Sequence, residues 1–259
     1  MGIITLTTDR NIKDFFLGRV KGEIYKECPS AVIVDLAHGI EAFNINQAAF
    51  VLKNSYKHFP ANTIHLIGVD SEKGISQNHL IVKTDNQYFI GADNGVFSLI
   101  FNSELNEIYS IKSNDNFNKN KPALIEFVNI ASKILNGINI EEIAEKTNRI
   151  KRKFLFEPGY ENDVIMGNVI YIDSYLNVVS NISKELFEKV RNGRDFKITV
   201  GSSRNIITKI NKQYQEVKQG EMLAIFNSLG YLEVAVNKGR VAEMMNFDMK
   251  TSLKINFYD

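Results

Sequence analysis

The sequence predicts an α/β N-terminal domain, with a mostly parallel central sheet flanked by helices, followed by a C-terminal all-β, barrel-like domain. Three observations carry this. Over the first 70 residues β-branched runs alternate with amphipathic helical patterns, as strand–crossover–strand units require. From about residue 163 most segments are short and β-like, broken by turns at near-regular intervals, the pattern of a small barrel or sandwich. Between them a basic stretch with Pro158 and Gly159 marks a linker at about 151–162, which sets the domains at 1–150 and 163–259.

The elements follow in order. Ile3–Thr8 is a β-rich run ending on Asp9, and the next helix carries Phe15, Phe16, Val20 and Ile24 on one face. Ala31–Leu36 is a continuous β-branched run, the signature of a strand buried on both faces. Asn44 reads as the N-cap of a helix with Ile45, Ala48, Ala49 and Leu52 on its apolar side. Thr63–Val69 is a third buried strand, and His79–Thr84 and Gln87–Gly91 flank Asp85-Asn86, a hairpin signal. A turn, Ala92–Gly95, leads into a short helix at Val96–Phe101, and Glu107–Ile111 is another strand. Ser113–Lys121 is Asn-, Asp- and Lys-rich and reads as an exposed loop. Pro122 fits the first turn of a helix to about Asn136, and Asn139 with Glu142 resembles a capping box. Strands are then expected at Val164–Ile172, Val178–Ile182, Lys197–Val200, Ile206–Ile210, Met222–Phe226, Tyr231–Val236 and Ser252–Phe257, with a helix at Lys184–Val190.

Composition excludes several classes of function. A formal net charge of +1 over 259 residues offers no basic footprint for nucleic acid. One cysteine, Cys28, permits neither an internal disulfide nor a thiolate metal cluster, and the four histidines are not at metal-ligand spacing. The N-terminal apolar run stops at Asp9 without a charged leader, and no stretch approaches membrane-spanning length. Leu6 stands where a myristoylation signal needs Ser or Thr. These features read as a cytoplasmic protein without membrane or nucleic-acid partners.

Asp9, Asp35 and Asp70 each close a predicted strand. In open α/β sheets ligands gather at the carboxyl ends of the strands, so three acids at one edge suggest a polar crevice. Asp9 there either accepts two hydrogen bonds from ribose hydroxyls or caps the following helix.

Five stretches then carry a resemblance along nearly the whole chain: LTTDRNIKDFFLGRVKG, VDLAHGIEAFNINQAAFVL, FIGADNGVFSLI, IYIDSYLNVVSNI and FNSLGYLEVAVNKG. In their order and spacing they resemble the S-adenosylmethionine (SAM) hydroxide adenosyltransferases, relatives of the SAM-dependent chlorinase and fluorinase. The resemblance implies a homotrimer with ligand sites shared between subunits, a SAM or adenosine ligand, and no other cofactor or metal. It implies that Asp9 binds the ribose hydroxyls and that Phe43 walls the pocket near the sulfonium. Asp173 would meet the methionine ammonium, while Tyr175 and Asn177 hold adenine. Tyr214 would form another aromatic wall, and Ser228 would reach the methionine carboxylate. Without the resemblance, Phe43 and Tyr214 read equally as core aromatics, and Asp173 and Asn177 as β-turn residues.

One departure bears on the reaction. In the hydrolytic branch an Asp, an Arg and a His handle the attacking water. Asp70 matches the Asp, but the next loop, DSEKGISQNH, places Gln77 or Asn78 where the arginine is expected. The region that should read like FHGRD is NKNKPALIE, with no histidine. The halogenases' serine-bearing loop finds no match there either. Two readings stay open: hydrolysis of SAM to adenosine and L-methionine, with His79 or Lys121 as substitutes, or a SAM- or adenosine-binding homologue without significant turnover.

Overall fold

A computed structural model of the chain describes residues 2–72, 78–101, 107–112, 122–154 and 156–259. The chain forms two compact units, Met1–Leu155 and Phe156–Asp259.

Unit 1 runs β1 (Ile3–Thr8), α1 (Phe15–Glu27), β2 (Val32–Ala37), α2 (Ile45–Lys53), β3 (Ile64–Gly68), β4 (His79–Thr84), β5 (Gln87–Ala92), α3 (Val96–Phe101), β6 (Glu107–Ile111), α4 (Ala123–Leu135), α5 (Ile140–Ile143) and β7 (Ala144–Lys146). Among the described residues the strands form one sheet in the order β2-β1-β3-β5-β4-β6-β7. The β2-β1-β3-β5 pairings are parallel, and β4, β6 and β7 add on antiparallel. Side-chain alternation divides the core. Ile64 and Leu66 of β3, with Ile81 and Ile90, join α1 and α4 on one face. Ile67, Leu80, Val82 and Phe89 join α2 and α3 on the other. Both faces are therefore covered, as a largely parallel sheet needs.

Local chemistry explains the boundaries. Asp14 caps α1 by accepting the Phe16 N–H at 2.9 Å, and Asn44 caps α2 by accepting from Gln47 N at 3.0 Å. Asp9 is therefore not the cap of the first helix. The turn between β4 and β5 has both Asp85 and Asn86 at positive φ, 49° and 58°, the geometry that matches the twist of a two-residue hairpin. Gly68 ends β3 where a Cβ would come within 3.0 Å of Leu124 Cδ2, so the glycine lets α4 close over the strand end.

Several expectations need correction. Phe15 is 84% exposed, and the buried stripe of α1 is Phe16, Leu17, Val20 and Ile24. The 31–36 run is not buried on both faces, because β2 is the sheet's edge strand and is only half-buried. Asp35 does not end that strand: it lies within it, paired with Leu6. Pro122 is the cap residue of α4, ahead of its first turn. The expected loop at Ser113–Lys121 lies outside the described residues.

Unit 2 runs β8 (Gly159–Glu161), β9 (Val164–Ile172), β10 (Val178–Ser183), α6 (Lys184–Arg191), β11 (Asp195–Val200), β12 (Ser202–Ile207), β13 (Ile210–Asn211), β14 (Met222–Phe226), β15 (Tyr231–Val236), α7 (Val241–Met245) and β16 (Ser252–Tyr258). Its strands form a nearly closed, barrel-like sheet ordered β12-β11-β16-β9-β10-β15-β14-β13, with β8 added beside β9. The core gathers Ile165, Val178, Phe187, Ile198, Leu232, Val234 and Leu253. The run expected as one strand at Ile206–Ile210 divides, since β12 ends at Ile207 and β13 begins at Ile210 to pair with β14. The helix α7 gave no strong sequence signal, because its five residues are too few to show a period.

Candidate functional site

In unit 1 the carboxyl ends of β1 and β3 bring Asp9 and Asp70 together. Asp9 Oδ2 accepts the Asp70 N–H at 3.2 Å and the Phe43 N–H at 3.3 Å, while the Asp9 N–H donates to Gly68 O. Both donors are strained: Phe43 has φ 65° and Asp70 φ 44°, left-handed conformations that cost a non-glycine residue roughly 1–2 kcal/mol each. Such strain persists only where the surroundings over-determine it, and here it aims two backbone amides from two loops at one carboxylate. The Phe43 ring is 73% exposed, so it is not a core aromatic of unit 1.

Neighbouring groups hold these loops. His38 is 5% exposed at its side chain; its Nδ1 lies 2.8 Å from Thr8 Oγ1 and its Nε2 3.0 Å from Asp35 Oδ1. Asp35 also takes Lys21 Nζ at 2.6 Å. The bonds to Lys21 and His38 hold its carboxyl below the usual range although burial opposes the shift as its largest single contribution. The Gly39 and Ile40 amides donate to the Arg10 and Thr8 carbonyls. The loop that carries Phe43 is thus riveted to the strand that carries Asp9. On the other side Asn94 Nδ2 donates to the Val69 and Asp70 carbonyls, at 3.1 and 3.0 Å, and Oδ1 accepts from Val96 N. Its neighbour Asp93, raised chiefly by burial, accepts the Lys151 N–H. The Asn78 carbonyl accepts the Asp93 N–H at 2.8 Å; Gln77 lies outside the described residues, as does Lys121. His79 is buried against Phe127, with Nε2 on the Ser71 carbonyl at 3.0 Å and Nδ1 3.8 Å from Glu126 Oε2.

In unit 2 Asp173, Tyr175 and Asn177 share the turn between β9 and β10. Asp173 Oδ1 accepts from Tyr175 N (2.9 Å) and Asn177 N (2.8 Å), and Oδ2 accepts from Asn177 Nδ2 (3.1 Å). Leu176 takes φ 61° inside the turn, and its carbonyl accepts from Ala242 N of α7. Asn177 is buried, whereas the Tyr175 ring is 75% exposed. Tyr214 sits on a 3-10 turn braced by Glu216. The Glu216 carboxyl is pulled down to about 2, first by the Lys212 N–H and then by Lys209, with Asn211 and Gln213 adding less, against the opposing desolvation. The Tyr214 hydroxyl donates to Glu233 Oε1 at 2.7 Å. Burial first, then that bond, pushes the phenol well above its usual range, and Asp173 adds to the push. Ser228 is exposed in the turn between β14 and β15.

Sequence reasoning missed His38 as the rivet, Asn94 as the brace of Asp70, and the Glu233–Asn227 pair. A signal existed for His38, three residues beyond Asp35 at a strand end. None existed for Glu233, whose partners lie 19 and 6 positions away.

Among the described residues no group of three or more His, Cys, Asp or Glu could hold a metal ion, and no helix is long and apolar enough to cross a membrane.

Comparison with known proteins adds the following. Residues 4–144 match the family model of the SAM hydroxide adenosyltransferase N-terminal domain, and residues 167–254 match that of its C-terminal domain. The chain is similar to an (R)-S-adenosyl-L-methionine hydrolase of Methanocaldococcus jannaschii, 27% identical over 278 residues, 98% of this chain and 96% of that protein. It is similar to another of that name from Salinispora tropica, 22% identical over 260 residues and 97% of each chain. A crystal structure of an uncharacterized conserved protein from Thermotoga maritima aligns with a TM-score of 0.81 at 27% identity, covering 99% of this chain and 100% of that one.

Proposed function

The chain belongs to the SAM hydroxide adenosyltransferase family, and on that premise we propose that it cleaves SAM to adenosine and L-methionine with water as nucleophile. The observation that carries the reading is the Asp9 corner, where two left-handed residues from different loops aim their amides at one carboxylate on the sheet's ligand-binding edge. Asp9 Oδ1 accepts no bond among the described residues and is available to the ribose diol. Asp70, next to it, orients the water. Displacement at a sulfonium has a positively charged leaving group, so alignment of water, ribose carbon and sulfur supplies much of the acceleration, up to ~7–11 kcal/mol in favourable cases. Asp173 takes the ammonium through the remaining lone pairs of Oδ2, Tyr175 and Asn177 hold adenine, Phe43 and Tyr214 wall the ligand, and Ser228 meets the carboxylate. The exposed rings of Phe43 and Tyr175 support a homotrimer in which subunits share the ligand. On this reading the protein is cytoplasmic and uses nothing beyond its substrate.

A second reading, binding without turnover, is favoured by α4. Its cap is Pro122, which offers no side-chain hydrogen bond where the hydrolytic relatives' motif places a histidine. Incubation with each sulfonium epimer of SAM, followed by chromatography, separates the two. Adenosine above the buffer rate supports hydrolysis, and tight binding without product supports the second reading.

A further inference from the structure

We propose that Glu233 is a positioning residue that ties the Tyr214 wall and the Ser228 turn into one unit, so that the ligand meets both as a single surface. The proposal rests on the reading of these residues as ligand contacts.

Glu233 is 4% exposed. It lies opposite Val179 of β10 and Ile225 of β14, on the β15 face shared with Ala235 and away from Leu232 and Val234 in the barrel core. A carboxylate among Val, Ile and Ala is costly unless its oxygens are bonded. Its two oxygens divide their work. Oε1 accepts from the Tyr214 hydroxyl at 2.7 Å, and Oε2 accepts from Asn227 Nδ2 at 3.2 Å.

The orientation of each partner is settled by its other bonds. Asn227 Oδ1 accepts the N–H groups of Leu229 (3.0 Å) and Tyr231 (3.2 Å), so its NH₂ must face Glu233. The same two bonds, with Gly230 N donating to Asn227 O, shape the turn that presents Ser228. Both neighbours of Glu233 are therefore donors, and the position needs two acceptors. A glutamine offers one acceptor and one donor. In E233Q, Tyr214 keeps its acceptor, but the new NH₂ faces that of Asn227. Relief comes by turning the Asn227 amide over, which withdraws its oxygen from the Leu229 and Tyr231 amides, or by turning the glutamine over, so that its oxygen takes the Asn227 NH₂ and its own NH₂ meets the Tyr214 hydroxyl, which must then accept. Either way the substitution breaks the present pairing at one end of the Tyr214–Glu233–Asn227 chain and uncouples the Ser228 turn from the Tyr214 wall. The Tyr214 phenol, raised first by burial, is raised further by the same contact.

The test is calorimetry on the full chain with SAM and with adenosine, for wild type, E233Q, N227A and the double variant. E233Q is expected to weaken SAM by about ten-fold, the scale of one hydrogen bond to a charged group. Adenosine lacks the amino-acid part that Ser228 would meet and is expected to hold its affinity within about two-fold, the scatter of independent sites. N227A should show the same preference, and the double variant should cost no more than either alone. Absorbance titration at high pH, with Y214F identifying the phenol concerned, should show Tyr214 ionising at lower pH in E233Q, which checks the contact itself, while the split between SAM and adenosine is the readout a merely structural role would not move. Unchanged affinities with an unchanged Tyr214 titration overturn the proposal. Losses for both ligands in step with a lowered melting temperature overturn it as well. A wild-type protein that binds neither ligand overturns the ligand reading and the coupling with it, and no variant is needed to see that.

Discussion

Asp9 of unit 1 and Asp173 of unit 2 both follow a strand and both accept backbone N–H groups, but their partners differ in reach. Asp9 uses a single oxygen for amides 34 and 61 positions away. Asp173 uses both oxygens for groups two and four positions away in its own turn. A carboxylate bonded at long range helps fix the relative position of separate loops, and here it keeps an oxygen for a ligand. One bonded locally makes its own turn first. The lesson is that acids of similar appearance divide into those whose loss moves a pocket and those whose loss moves a fold. Asp70, left-handed beside Asp9, belongs with the first kind.

The largest effect expected from this contrast is on turnover. Asparagine tolerates the left-handed conformation of Asp70, so Asp70→Asn alters charge without disturbing the backbone. If Asp70 handles water, the variant loses the ~100- to 10,000-fold that a general base contributes, with ligand affinity kept, because the group acts chiefly in the transition state. Rate and melting temperature measured on one preparation decide it. A lowered melt with an unchanged rate would make Asp70 only the end of a strand.

A second way to separate the units is acid. All four histidines, His38, His58, His65 and His79, lie in unit 1. His65 is fully buried, stacked on Phe89. Gln87 Nε2 donates to backbone carbonyls, so Gln87 Oε1 accepts from His65 Nε2–H and Nδ1 accepts from Thr5. Burial lowers its pKa from 6.5 to about 4 against the opposing Gln87 bond. The folded state therefore holds His65 neutral while the unfolded chain takes up a proton. Stability is full above pH 6.5, falls as the pH drops towards 4, and changes no further below that, a total loss of about 3 kcal/mol. Denaturant melts followed separately in the two units should show unit 1 weakening first across that window, and His65→Gln should flatten the slope. Parallel loss in both units would contradict the assignment.

These two effects fall unevenly on what sequence alone reveals. The apolar run Thr63–Val69 and the Asp85-Asn86 turn were legible because β-rich runs and turn chemistry are local. The edge position of β2 was not, since Val32–Ala37 is as β-branched as a central strand and only the pairing order exposes its flank. Asp9 and Asp70 were legible as acids at strand ends, and Asp173 as a turn residue. What each acid holds was not, because Phe43 and Asp70 reach Asp9 across two loops whose backbone strain leaves no compositional trace. Glu233 shows the limit most clearly: one acid in an otherwise apolar strand, with meaning only through the hydroxyl and amide that fold against it.

Next in size is Asp9→Ala. Removing a charged acceptor from a ribose diol is expected to cost ~1.5–3 kcal/mol of adenosine affinity, read by calorimetry. The fold should hold, because the two amides released lie at loop ends near solvent. The comparison sharpens if the Asp9→Ala melt stays near wild type while binding is lost, and it breaks if affinity is unchanged.

The smallest effect tests the other half of the contrast. Asp173→Ala removes three acceptor bonds within one turn and leaves Leu176 left-handed without the carboxylate that closes the turn around it. Because the Tyr175 side of the turn is exposed and its N–H regains water, while the Asn177 bonds are only partly buried, the net loss should be about 1 kcal/mol, near the worth of one intramolecular hydrogen bond. Asp173→Asn should recover most of that, since its oxygen still takes the Tyr175 and Asn177 amides while its NH₂ displaces only the Asn177 side chain. The same pair separates structure from recognition. Adenosine has no ammonium, so its affinity for Asp173→Asn should match wild type, whereas SAM should bind several-fold more weakly, within the ~0.5–1.5 kcal/mol of a single polar contact. Were Asp173→Asn to bind both ligands as wild type does, Asp173 would be a turn residue alone, and the ammonium would need another partner on unit 2.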